Sequence, residues 1–379
     1  MRELSGKIAG IAPSATMAIS NEAKKMQAAG IDVISLSIGE PDFDTPEHIK
    51  EACIDALRRG ETHYAPSNGL PELNQAIASK IEVENHFPCR KEDVIVTCGA
   101  KDAIYEAMEA VLDHGDEAII LDPSWVSYEP CVQIAGGRPV HHPLNMRMFQ
   151  VDDSLVDRIT AHTRMIVINS PSNPSGSVLD KTSLRLIADT CEDYDLIALS
   201  DEIYEKLLYG KEHISLASVG DMAERTITVN GFSKAYAMTG WRLGYAVAPP
   251  KILNRMSIVQ QHTISHPTSF AMWGGLAAIQ GNQSCVEMMR QEFARRRDFL
   301  MKELSEMGFE SAPADGAFYA YIRVEGDDME LAEEWLKKLH VAVTPGTAFN
   351  SPGWERLSYA TSMASLGEAV KRIRASVTR

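Results

Sequence analysis

Residues 230–244, NGFSKAYAMTGWRLG, set one lysine, Lys234, and one arginine, Arg242, among small and aromatic side chains. The apolar run Thr226 to Val229 precedes them. A lysine in such a loop after a strand can be desolvated, which lowers its pKa and makes the amine a nucleophile for Schiff-base formation. Arg242 is near enough along the chain to reach the same ligand, and its rigid fork suits a phosphate. An aldehyde and a phosphate on one ligand describe pyridoxal 5′-phosphate. Spacing alone fits equally well a surface loop carrying two ordinary cations. Asp201 weighs against that. It ends the apolar run DLIALS and is expected to be buried. A buried carboxylate needs a cationic partner, which a protonated pyridine nitrogen would supply. Such a ring is an electron sink for charge developing at a substrate Cα. A helix N-cap is the ordinary alternative for Asp201. Tyr204, three residues on, could reach the cofactor's phenolic oxygen.

Further candidates fall at similar places. SPSNPSG holds Asn173 between turn formers, where a purely structural role is also common. TCGAKDA offers the backbone N–H groups of Gly99, Ala100 and Lys101 at a helix start, a ready anion site. Trp125, after Asp122-Pro123, could stack on a flat ring or join the core. Arg356 in ERLSYAT shares a strand face with Ser358 and could clamp a carboxylate at two points, or form a surface salt bridge.

The elements that must position these residues recur along the chain. Apolar runs stop at polar or glycine-rich tips at Gly99, Asp122, Asn169, Asp201 and Asn230. They are short, rich in Val and Ile and apolar on both faces, which predicts buried parallel strands. Between them, Lys101 to Leu112 has helical apolar spacing. Leu184 to Thr190 lies in another helix, with Asp180 or Thr182 as its N-cap. Strand alternating with helix predicts an α/β core with a mostly parallel sheet. Ligands bind beyond the carboxyl ends of such strands, which is where the candidate residues lie. The last third predicts a smaller α+β unit, joined by a long helix between Trp273 and Leu304. The expected division is an N-terminal segment over 1–45 packing with the small domain, a large domain over 46–280 and a small domain over 281–379.

Composition narrows the function. The chain has 379 residues and a net charge of −15, which argues against nucleic acid as partner. Its six cysteines are scattered, without Cys-x-x-Cys or zinc spacing, so no metal is expected. Reduced thiols, the lack of a signal-like N-terminus and the lack of a membrane-spanning stretch predict a cytoplasmic protein.

GFSKAYAMTGWRLG closely resembles the cofactor-lysine motif of class I aminotransferases, the fold-type-I enzymes that use pyridoxal 5′-phosphate. SIGEPDFDTP, YAPSNGLPELNQAIA, SPSNPSG, SDEIYEKLLY and RLSYATS resemble the family's other blocks in the same order, from about Pro13 to the last helix. The chain looks most like the prokaryotic aspartate aminotransferase branch, where PSAT and PSWVSY also occur. The resemblance implies that Lys234 holds the cofactor as a Schiff base and then shuttles the proton. Asp201 would pair with the ring nitrogen, Tyr204 and Asn173 would bond the phenolic oxygen, and Trp125 would stack on the ring. Arg242, the Ala100 and Lys101 backbone, and Tyr64 from a neighbouring subunit would hold the phosphate, which makes the enzyme a homodimer. Arg356 would take the substrate α-carboxylate, with Asn173 touching it and Gly39 lining the site. Lys101 would read a distal carboxylate. Gly231 stands where many relatives carry a phosphate-binding serine; Ser233 or backbone amides would compensate. The expected substrates are amino acids and 2-oxo acids, with aspartate plus 2-oxoglutarate giving oxaloacetate plus glutamate. An aromatic or broad-range aminotransferase and a C–S lyase are the alternatives. A non-enzymatic regulator would need an appended helix-turn-helix domain, for which this length leaves no room.

Overall fold

A computed structural model describes residues 6–13 and 15–377. The extreme ends of the 1–45 and 281–379 segments, and Ser14 of PSAT, lie outside the described residues. A seven-stranded sheet forms the centre. Its spatial order is Val94–Thr97, Gly244–Val247, Thr226–Gly231, Ile197–Asp201, Thr163–Asn169, Glu117–Asp122 and Arg138–Pro143. Only Gly244–Val247 runs against the others. The strands Val94–Thr97, Glu117–Asp122, Thr226–Gly231 and Gly244–Val247 are buried at every residue. Helices cover both faces, which is why the runs carry no polar side. The edge strand Arg138–Pro143 is half exposed and holds two prolines, which an edge tolerates because one row of its N–H groups needs no partner.

The helix Ala100–Val111 starts at Gly99, whose φ is 84°, and buries Ala103, Ile104, Ala107 and Met108 against the sheet. The helix Lys181–Asp193 is capped by Asp180, which accepts from Ser183 N at 2.8 Å. Asp180, not Thr182, is therefore the cap. The helix Ser284–Glu306 runs for 23 residues and buries Met289, Phe293, Leu300 and Leu304 on one side. It leads to an antiparallel sheet in which Trp354–Ser358 lies between Thr344–Pro345 and Tyr319–Arg323.

The N-terminal stretch crosses between these parts. Ile34 and Ser35 pair in parallel with Val341 and Ala342. Leu36 O accepts from Ser358 N at 2.7 Å. Arg296 of the long helix binds Asp42 at 2.6 Å, and Phe43 meets Phe293 edge-to-face at 5.4 Å. No described helix is long and apolar enough to cross a membrane.

A buried ionic network sits behind the strand that ends at Asp201. Lys80 pairs with Glu205, Asn85 donates to Glu205 at 2.8 Å, and His213 Nε2 lies 2.8 Å from Glu202. Glu202, Glu205 and His213 hold their ligand-type atoms within 4.8 Å of one another, but Lys80 already supplies positive charge there. Burial alone would raise the Glu205 carboxyl; Lys80, then His213, override it and hold it at about 2. A depressed carboxyl stabilises the fold above its unfolded pKa and loses that contribution as pH falls through the folded value. Lys80→Met should therefore cost about 3 kcal/mol at neutral pH, by removing the main cation beside a buried carboxylate. The gap from wild type in urea midpoints should close between about pH 4 and pH 2. A gap that persists unchanged to pH 2 would count against this account.

Candidate active site

The carboxyl ends of the central strands open into a cavity of about 380 Å³. Its wall includes Gly39, Ala100, Lys101, Trp125, Asn173, Asp201, Tyr204, Ser233, Lys234, Arg242 and Arg356. These residues come from strand ends, the N-terminal stretch and the small antiparallel sheet, up to 319 residues apart in hydrogen-bonded pairs. Gly99 stands just behind the wall: a Cβ there would meet Arg242 Nη2 at 2.6 Å. Tyr64 is not part of the cavity. It is 93% exposed, its ring braced edge-on against His266 at 5.7 Å.

Lys234 lies in the turns that follow the strand Thr226–Gly231, and its Nζ donates to Gly39 O at 2.6 Å. Burial pulls its pKa to about 8; Glu40 opposes that, while Arg356 and Arg242 add to it. Asp201 ends its strand buried. Its Oδ2 accepts from the Tyr128 hydroxyl at 2.6 Å and its Oδ1 from Ile203 N at 3.2 Å. Burial raises this carboxyl to about 6, against the pull of Tyr128. The next residues form a turn and not a helix, so Asp201 caps no helix. Tyr204 and Tyr319, both buried, share a hydrogen bond of 2.8 Å between their hydroxyls.

Arg356 sits in the middle strand of the small sheet and is 3% exposed. Its Nη1 donates to Asn173 Oδ1 at 2.8 Å, and its Nη2 to Ser37 O at 2.6 Å and Thr344 Oγ1 at 3.3 Å. Its guanidinium lies 4.6 Å from the Tyr319 ring and 4.9 Å from that of Phe349. Among the described residues it has no carboxylate partner, and its buried Nε has no acceptor. The surface salt bridge allowed by the sequence does not form. Arg242 takes a left-handed backbone, φ 51°, and donates from Nη1 to Thr239 O at 2.9 Å. It stands beside the first amides of the helix Ala100–Val111, which have no intrahelical acceptor. Ser233 is buried on the same wall. Gly231 faces Gly244 across the strand pair, and a Cβ at Gly231 would meet Gly244 Cα at 3.0 Å. A serine there would press on the facing backbone, which must give by a few tenths of an ångström, so the tight strand pair favours glycine. Lys101 reaches over the Trp125 ring, 4.8 Å from its centroid, and desolvation lowers its pKa.

Two residues escaped the sequence reading. Tyr128, three residues past Trp125, meets that indole edge-on at 5.4 Å. Tyr319 lines the cavity from the first position of the strand Tyr319–Arg323. The spacing from Trp125 was a usable signal for Tyr128; for Tyr319 the alternating strand gave none beyond core burial.

The charge pattern tests what ligand fits. A buried arginine, a second arginine beside free helix amides and a desolvated lysine converge on one cavity without anionic partners among the described residues. Opposite them lies the buried Asp201 carboxylate, with no cation paired to it among the described residues. The set matches a ligand with a carbonyl, a phosphate and a ring nitrogen, and a substrate with a carboxylate. Pyridoxal 5′-phosphate fits the residues present.

Comparison with known proteins agrees. The family model for class I and II aminotransferases matches residues 31–373. A protein of Aquifex aeolicus named a probable aspartate/prephenate aminotransferase is 42% identical over 384 residues, covering 98% of each chain. The solved aspartate aminotransferase of Thermus thermophilus with maleate superposes with a TM-score of 0.96 at 42% identity, covering 99% of this chain and 100% of that one. An aromatic aminotransferase from Pyrococcus horikoshii superposes with a TM-score of 0.90 at 42% identity, covering 94% of this chain and 98% of that one. The fold is thus that of the fold-type-I transaminases, which use pyridoxal 5′-phosphate. This chain belongs to the class I and II aminotransferase family.

Proposed function

We propose that this transaminase moves the amino group of aspartate to 2-oxoglutarate, giving oxaloacetate and glutamate, in a cytoplasmic homodimer. The observation that carries the reading is Arg356, a buried guanidinium with no carboxylate partner facing the same cavity as Lys234. On this reading residues 1–45 form a strap, 46–280 the cofactor-binding part and 281–379 the part that clamps substrate.

The cofactor, when bound, supplies an electron sink for charge that develops at the substrate Cα. Lys234 is its covalent attachment point and, once free, takes the Cα proton at Nζ as general base. A pKa near 8 leaves a useful fraction of that amine neutral. Asp201 keeps the ring nitrogen charged. Arg242, the Ala100 and Lys101 amides and Ser233 bind the phosphate, with Gly99 small enough to let Arg242 close in. Asn173 Oδ1 is occupied by Arg356, so its amide N–H₂ is the end left to donate to the phenolic oxygen or to substrate. Tyr204 donates to the phenolic oxygen, and Trp125 covers the ring. Arg356 fixes the α-carboxylate, which sets the Cα–H bond for deprotonation over loss of carbon dioxide. Tyr64, held out in solvent, suits donation to the phosphate of a second copy.

Lys101 supports the choice of aspartate, because it adds a second cation at the cavity. A first-turn lysine is electrostatically unfavourable at a helix N-terminus, which favours a ligand-directed role. The aromatic alternative rests on the 42% identity to the Pyrococcus enzyme. A panel of donors and acceptors, prephenate included, scored by kcat/KM decides between them. Lys101→Ala should raise KM for aspartate about tenfold and leave KM for phenylalanine nearly unchanged. Equal effects on both donors remove the aspartate assignment.

A further inference from the structure

We infer that Tyr128 is a positioning residue for this reaction: its hydroxyl proton fixes Oδ2 of Asp201 so that the carboxylate meets the cofactor's ring nitrogen as an oriented anion. The inference rests on the reading that Asp201 pairs with that nitrogen.

The geometry is closed from both sides of the carboxylate. Tyr128 donates to Oδ2 at 2.6 Å and Ile203 N donates to Oδ1 at 3.2 Å. A carboxylate held at both oxygens cannot rotate freely, so its remaining lone pairs keep one direction. The Tyr128 ring is 1% exposed and stands at the start of the helix Tyr128–Ala135. Burial, and then Asp201 itself, push the phenol well above its ordinary pKa. It therefore remains a proton donor at any working pH. The other charged or titratable groups facing Asp201 are Glu202 beside it in the chain, Lys234 from the loop after the neighbouring strand and Tyr204. Among the described side chains, only Tyr128 makes a direct hydrogen bond to the carboxylate.

The three-residue spacing from Trp125 adds a second link. The two rings meet edge-to-face at 5.4 Å and 80°. One short turn thus fixes both the indole that lies in the cavity and the donor that aims the carboxylate. Without the Tyr128 hydroxyl, Oδ2 would be a buried charged acceptor lacking its donor, which favours the protonated acid. A neutral acid cannot keep a positive charge on the ring nitrogen.

The test reloads the cofactor-free full chain with either pyridoxal phosphate or its 1-deaza analogue, in which C–H replaces the ring nitrogen, and reads dissociation constants from tryptophan fluorescence. Wild type should prefer pyridoxal phosphate. Tyr128→Phe should narrow that preference about tenfold, by weakening pyridoxal phosphate and leaving the analogue nearly unchanged. Adding Tyr128→Phe to Asp201→Ala should then weaken pyridoxal phosphate no further. An equal loss for both ligands would mean a packing defect and would overturn the inference, as would an unchanged preference or an additive double variant. A wild type with no preference would overturn the Asp201 reading itself, and this inference with it.

Discussion

Lys234→Ala is expected to lower the transamination rate by about four orders of magnitude, the upper range for loss of a positioned general base. Alanine removes the proposed attachment point, an amine whose Nζ is held at 2.6 Å from Gly39 O inside the cavity. The direct measure is wash-out of deuterium from the donor Cα in a single turnover, where product release plays no part. Retention of the wild-type rate within about tenfold would reject Lys234 as the base. The wild-type amine gives a companion pH signature. Only the neutral form attacks an aldehyde, so the rate at which the cofactor-free chain captures pyridoxal phosphate should rise through about pH 8 and level off above it. A capture rate that is flat across that range contradicts the desolvated lysine.

Arg356→Lys is expected to reduce kcat/KM about a hundredfold for every amino donor, because the α-carboxylate is common to them all. The guanidinium plane is set by Asn173, Ser37 and Thr344 on its edges and by Tyr319 and Phe349 near its faces. An ammonium at that place is a point charge with three donors on a flexible stem. It can satisfy the structural acceptors or the substrate, but it lacks the fork that serves both. The loss should fall equally on aspartate and phenylalanine, which separates it from Lys101→Ala. Binding of a simple dicarboxylate such as maleate should weaken in parallel, read by calorimetry without turnover. A loss confined to dicarboxylic donors would mean that Arg356 serves the distal carboxylate instead.

How much was legible in the sequence follows the same physics. The five runs ending at Gly99, Asp122, Asn169, Asp201 and Asn230 announce strands because burial on both faces leaves few polar positions and no polar face. The edge strand Arg138–Pro143 was not legible, since two prolines and two histidines erase that pattern where only one side needs a partner. The single-turn π-helices Ile81–Asn85 and Trp335–Leu339 have no periodicity long enough to detect. Chemistry was easier to see than packing. A lysine, an aspartate or an arginine at the end of an apolar run is costly unless it has a partner, so Lys234, Asp201 and Arg356 stand out. Tyr128 and Tyr319 did not, because a buried tyrosine resembles any core aromatic until its hydroxyl partner is known. The glycine at 231 looked like a lost phosphate contact. The tight approach of Gly244 gives it a packing reason in the strand pair as well. Tyr64 is exposed in the single chain, so its own surroundings carry no trace of the phosphate role proposed for it.

The N-terminal stretch has one more consequence. Ser37 O receives Arg356, Leu36 O receives Ser358, and two residues along Gly39 O receives Lys234. Ser37 and Arg356 lie 319 residues apart, so translation delivers residues 36–39 long before residues 356–358. All seven strands of the large sheet, from Val94 to Val247, are therefore made before Arg356. The stretch of cavity wall that Ser37 and Arg356 build together can close only after every strand of that sheet has been made.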